Sequence, residues 1–137
     1  MTNSNYFVYI GIGLVATFME YREAKSKTYQ DALVGKKTFD RTFKVNLNRE
    51  QVLKLIEEKT ANTKFINSYK DDIEFVMVLE EVTTWKNYGW FYIIRIRVIN
   101  PTSSEILISS MYKADRYVFD FFHNRKLNKL LLQLGVM

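Results

Sequence analysis

The sequence predicts an α+β protein, with an N-terminal apolar helix followed by a β-α-β-β-β-β-α domain whose antiparallel sheet carries its helices on one face. Three observations predict it. A charge-free run extends from Tyr6 to Met19; a helical pattern with its own capping residue starts at Asn48; and four alternating runs rich in Ile, Val, Phe and Tyr follow with no helical pattern between them. The chain has 137 residues, 47% of them hydrophobic and 26% charged, so it holds one domain with a sizeable core rather than a disordered polymer. Residues 1–35 read as an apolar segment with a polar connector, and residues 36–137 as the folded domain.

The first element is YFVYIGIGLVATFM, residues 6–19. As a helix it spans about 21 Å, against about 30 Å for a hydrocarbon core. Continuing to Tyr21 brings it to about 24 Å, and Arg22 and Lys25 can snorkel to the interface. Tyr6, Phe7 and Tyr9 lie at one end and Phe18 and Tyr21 at the other, the aromatic-belt arrangement of a membrane span. Gly11, Gly13 and Ala16 give small patches for a neighbouring helix. The expectation is a single-pass anchor. Arg22, Lys25, Lys27, Lys36 and Lys37 follow it and no Lys or Arg precedes it, which puts the C-terminal domain on the cytoplasmic side or its organellar equivalent. The alternatives are a buried strand or core helix in a soluble cytoplasmic protein, and, with less support, a signal peptide.

Residues 20–32, EYREAKSKTYQDA, are polar and helix-compatible, and continue the first helix toward a stop at Gly35. Thr38 to Val45 reads as a strand. Asn48 is an N-cap, Gln51 completes the capping-box spacing, and Val52, Leu53, Leu55 and Ile56 form the apolar side of the helix REQVLKLIEEK. Strands are expected over Lys64 to Ser68, Ile73 to Glu80, Gly89 to Ile99 and Glu105 to Tyr112. In the longest, Trp90, Tyr92, Ile94, Ile96 and Val98 share one face, with Phe91, Ile93, Arg95, Arg97 and Ile99 on the other. Residues 100–104, NPTSS, make a turn, and a last helix is expected from Asn124 through Leu134.

The segments VNLNREQVLKLIEEK, YGWFYIIRIRV, ILISSMYK and HNRKLNKLLLQL occur in an order that resembles the uncharacterised bacterial and plastid domain of unknown function fourteen-ninety-nine. The resemblance covers about the last hundred residues. It matches Ser109 and Ser110 to a Ser-rich strand and Asn124 and Arg125 to the opening of a Leu-rich terminal helix. It departs at DRYVFDFF, which replaces a glycine-containing segment. The resemblance implies the layout and no known activity.

The chemistry is sparse. With no cysteine, disulfides, thiolate metal sites and cysteine nucleophiles are excluded together. His123 is the single histidine; Asp120 lies three residues upstream and Ser109 and Ser110 are further candidate partners, and a surface or helix-entry role accounts for it more simply. The acid pairs Asp71-Asp72 and Glu80-Glu81 point to opposite sides of a strand and suit turns or solvent better than acid–base work. No phosphate-binding loop or dinucleotide fingerprint is present. No catalytic residue, metal site or cofactor is therefore expected.

Two surfaces remain. One is Arg95 and Arg97, with Lys44 beside them; the other is the aromatic stretch with Phe119, Phe121 and Phe122 next to Arg125, Lys126 and Lys129. The net charge of +5 is spread among acids, which makes nucleic acid the weakest of the partner classes. The sequence thus points to a non-enzymatic, membrane-tethered accessory or assembly subunit with protein or lipid contacts. Its alternative is a soluble module holding an apolar ligand or lipid, with Trp90, Tyr92 and Ile94 lining a cavity.

Overall fold

The structure is a computed structural model and describes residues 18–35, 39–61, 63–85 and 88–113. It contains a helical stretch over residues 18–26 (α1), then α2 (Tyr29–Val34), β1 (Phe39–Val45), α3 (Arg49–Thr60), β2 (Phe65–Asp71), β3 (Val76–Glu81), β4 (Trp90–Asn100) and β5 (Ser103–Tyr112). The strands form one sheet in the order β1-β5-β4-β3-β2, antiparallel at every neighbouring pair. The α+β class and the antiparallel sheet expected from the sequence are both present.

The topology follows from short connections and one crossing. β2 to β5 form a meander, each strand folding back beside its predecessor. α3 carries the chain from β1 on one edge to β2 on the other. Four inter-strand spacings make about 19 Å, and its 12 residues span about 18 Å, so the helix is as long as the sheet is wide. Its start is fixed by a reciprocal cap: the Gln51 backbone N–H donates to Asn48 Oδ1 at 2.9 Å, and the Asn48 N–H donates to Gln51 Oε1 at 3.0 Å. Val52, Leu53 and Ile56 are buried on the sheet, each contributing about 1.5–3 kcal/mol of transfer free energy.

Beneath α3 lie Met77, Leu79, Trp90, Tyr92, Ile94, Ile96, Ile106 and Ile108, with Phe65 and Phe75 at the margins and Phe43 and Val45 packed against them. The even-numbered face of β4 is therefore the main core. The tight turn Pro101-Thr102 joins β4 to β5, and Asn100 Oδ1 accepts from the Thr102 N–H at 3.0 Å. β3 starts at Val76, later than the alternation indicates, because residues 72–75 are spent on the preceding turn. There Asp71 Oδ1 accepts the N–H groups of Ile73 and Glu74 at 2.9 and 3.0 Å, which holds its carboxyl below the usual range.

The second face of the sheet carries α2. Residues 20–32 are expected as one continuous helix, but the helix breaks after residue 26 and restarts at Tyr29. Asp31 causes the restart: its Oδ2 accepts the Thr28 backbone N–H at 2.7 Å. Ala32 is fully buried against Val78, Phe91 and Ile93, and Tyr29 stacks on Tyr69 with ring centroids 4.8 Å apart. Glycine is required at position 35, where a Cβ would lie 2.5 Å from the Asp31 carbonyl oxygen of α2 and 2.5 Å from the Met111 sulfur of β5.

Candidate functional site

α2 has six residues and is about 9 Å long, while β4 with its 11 residues runs about 33 Å. The helix therefore covers only the rungs nearest the start of β4, those of Phe91 and Ile93. Beyond them Arg95 and Arg97 lie on the same face, and among the described residues no helix covers the sheet there. Register builds two rungs. Lys44 of β1 stands opposite Glu105 of β5, which stands opposite Arg97; Thr42, Leu107, Arg95 and Val76 form the neighbouring rung.

Arg97 Nη2 donates to Glu105 Oε2 at 2.6 Å, the Arg side chain 65% exposed and the Glu side chain 15%. A directly opposed, charge-assisted cross-strand pair of this kind fixes the guanidinium in place while leaving donors facing solvent. Arg95 is half-buried between Val76 and Leu107, and Lys44 is exposed; neither makes a salt bridge among the described residues. This half-face thus offers three cations against two carboxylates, Glu105 and Asp71, the latter standing beside Val76 on the Arg95 rung. It can hold an anionic, extended segment.

The opposite end of the sheet is closed by ions. Lys113, 3% exposed, lies 5.0 Å over the Phe91 ring, pairs with Glu80 Oε2 at 2.8 Å, and donates to the Glu81 carbonyl at 2.5 Å and to Thr83 Oγ1 at 3.0 Å. With three partners its ammonium is satisfied and acts as a staple across the strand ends. Gly89 (φ 86°) makes room there, because a Cβ would lie 3.0 Å from the Glu81 carbonyl oxygen. Glu80 and Glu81 do point to opposite faces, but solvent is not their environment: Glu81 is 3% exposed, with the Tyr92 hydroxyl and Lys64 Nζ each 3.5 Å from its carboxylate.

A groove of 460 Å³ lies between α3 and the β2–β3 turn, lined by Glu50, Leu53, Lys54, Glu57, Lys70, Asp72 and Phe75. Lys70 pairs with Glu57 at 2.5 Å and Asp72 at 3.3 Å, and the bond to Glu57 raises its pKa above the ordinary lysine value. Phe75 takes a left-handed backbone (φ 55°), which tucks its ring under α3, where the Arg49 guanidinium sits 3.9 Å above it. Charges of both signs neutralise one another across this groove. Trp90, Tyr92 and Ile94 are not among its walls; they are buried in the core beneath α3.

Of the residues singled out in the sequence, Arg95 and Arg97 fall together on the open half-face. Phe18 begins the described part of α1 and is 61% exposed. Tyr6, Tyr9, Gly11 and Gly13 lie outside the described residues, as do Phe119, Phe121, Phe122, His123, Arg125, Lys126 and Lys129. Glu105, Lys113 and Trp85 escape sequence reasoning. Strand register would have pointed to Glu105; nothing local marks Lys113.

Among the described residues no three His, Cys, Asp or Glu side chains are placed to hold a metal ion, and no helix is long and apolar enough to cross a membrane. No protein-family model matches the chain, and no curated protein matches its sequence. The resemblance to the uncharacterised domain therefore stands on its quoted segments alone.

Proposed function

We propose that the chain is a non-enzymatic, membrane-tethered accessory or assembly subunit, anchored through residues 6–19 and binding a protein partner on the open half of its sheet. The observation that carries the tether is the exposure of Phe18 and Met19, 61% and 64%, on a helix that docks by Ala24, which is fully buried. A run that ended inside the core would bury its last apolar residues. Here the last two face outward before the helix meets the domain, which supports a segment leaving the domain for an apolar medium.

The contact surface is Lys44, Arg95 and Arg97. Its cations lie toward the end of β4 remote from α1, with Arg97 about 23 Å along the strand from Trp90. Such a distance suits a partner standing off the bilayer better than the lipid headgroups themselves, and the short reach of screened surface charge strengthens that assignment. The partner's chemistry is an acidic segment.

Purification with and without detergent tests the tether. The expected outcome is that the full-length chain needs detergent to stay dispersed. A chain that is soluble and monomeric without detergent overturns the proposal, and saturable uptake of an apolar ligand by that soluble form would put the binding-module reading in its place.

A further inference from the structure

The connection that follows β3 bears two large apolar side chains that are more than half exposed. Val82 is 53% exposed and Trp85 68%, whereas the chain's other tryptophan, Trp90, is 1% exposed in the core. Exposed tryptophan is uncommon enough, beside a second exposed apolar residue, to ask what medium it meets.

Its position answers the question. Tyr88, in the same connection, donates its hydroxyl to Glu20 Oε2 of α1 at 3.5 Å, and burial together with that carboxylate raises the Tyr88 pKa. Glu20 directly follows Met19, where the charge-free run ends. The β3–β4 connection is therefore level with the point at which the apolar segment stops. Cations stand at that level too: Arg22 and Lys25 are exposed on α1, and the Lys64 side chain, 55% exposed, stands at the same end of the sheet at the start of β2.

We infer that Val82 and Trp85 form a second membrane contact, seated in the interfacial region of a bilayer beside α1. Tryptophan settles at the headgroup level, where its ring meets acyl chains and its N–H meets water. The occupant is the lipid interface rather than a protein, because Tyr88 ties this connection to Glu20, next in sequence to the apolar run, and Arg22, Lys25 and Lys64 at that end suit anionic headgroups. Together with the anchor this contact fixes the domain's tilt and turns the open half-face away from the bilayer.

The inference rests on the tethered reading, and one experiment separates them. The full chain is reconstituted in phosphatidylcholine–phosphatidylserine vesicles whose acyl chains are brominated near the carbonyl, and wild type is compared with Trp85→Phe, a surface change that leaves the core intact. Expected is a blue-shifted, quenched component of tryptophan emission in wild type that Trp85→Phe removes, leaving the unquenched emission of Trp90. Vesicle flotation in which the component lost with Trp85→Phe is solvent-like and unquenched overturns the second contact and leaves the anchor standing. A blue-shifted but unquenched component, the signature of cover by another copy of the chain, overturns it as well. Failure of the chain to float overturns the tether and this contact together.

Discussion

On the α3 face of the sheet, thirteen buried residues pack into one cluster among the described residues; on the α2 face there are four, and no described helix covers the rest of that face. Both are faces of the same strands, so strand propensity does not explain the difference. The length of the covering helix does. A helix as long as the sheet is wide closes one side, whereas one of six residues closes only the rungs nearest its attachment. The first face therefore holds the fold, and the second has room to bind.

The largest expected effect lies on the closed face. Ile94→Ala removes a fully buried side chain beneath α3 and is expected to lower the unfolding free energy by about 2–5 kcal/mol in urea titration. A loss under about 1 kcal/mol would mean that this face repacks freely and does not hold the domain. Next is the ionic staple. Lys113→Met leaves Glu80 without its cation and is expected to cost about 1–3 kcal/mol, discounted because the Glu80 side chain is 22% exposed. An unchanged denaturation midpoint would remove the staple from the account of how that end is closed.

Smaller effects distinguish the two helices. Asn48→Ala is expected to cost about 1 kcal/mol of global stability, since α3 cannot detach without opening the core. Asp31→Ala removes the carboxylate that starts α2, and its effect is expected mainly as faster amide exchange over residues 29–34, with the global midpoint little moved. Equal global losses would show that both faces are held equally. The double substitution Arg95→Ala with Arg97→Ala leaves Glu105 without its exposed cation and is expected to cost at most about 1 kcal/mol. It should nevertheless abolish capture of an acidic peptide on the open half-face; undiminished capture would place the contact elsewhere.

Much of the closed face is legible in the sequence. Asn48 and Gln51 mark the start of α3, and alternation along the longest strand assigns Trp90, Tyr92, Ile94 and Ile96 to one face, although Phe91 and Ile93 on the other face are buried as well. The cover on the second face is harder to see. Tyr29, Ala32 and Leu33 have the i, i+3, i+4 spacing of a helix stripe, but charges and hydroxyls around them make the segment read as a connector. Arg95 and Arg97 are legible as a basic pair. Glu105 is not, because a shift of one residue in the β4–β5 register would place it on the other face. Lys113 and Glu80 are 33 positions apart and meet only through the topology, so neither one's surroundings reveal the staple.

The central claim is that one end of the molecule meets a bilayer while the open half-face stands away from it. The chain has no cysteine, so single substitutions can carry an environment-sensitive probe without side reactions. Met19→Cys, Val82→Cys and Thr102→Cys, each labelled and reconstituted in vesicles, report the two ends directly. The account predicts apolar emission, quenched by lipid-borne quenchers, from the first two positions, and aqueous emission, quenched by iodide, from the third. Aqueous emission at Met19 in vesicle-bound protein, or lipid quenching at Thr102, would contradict it.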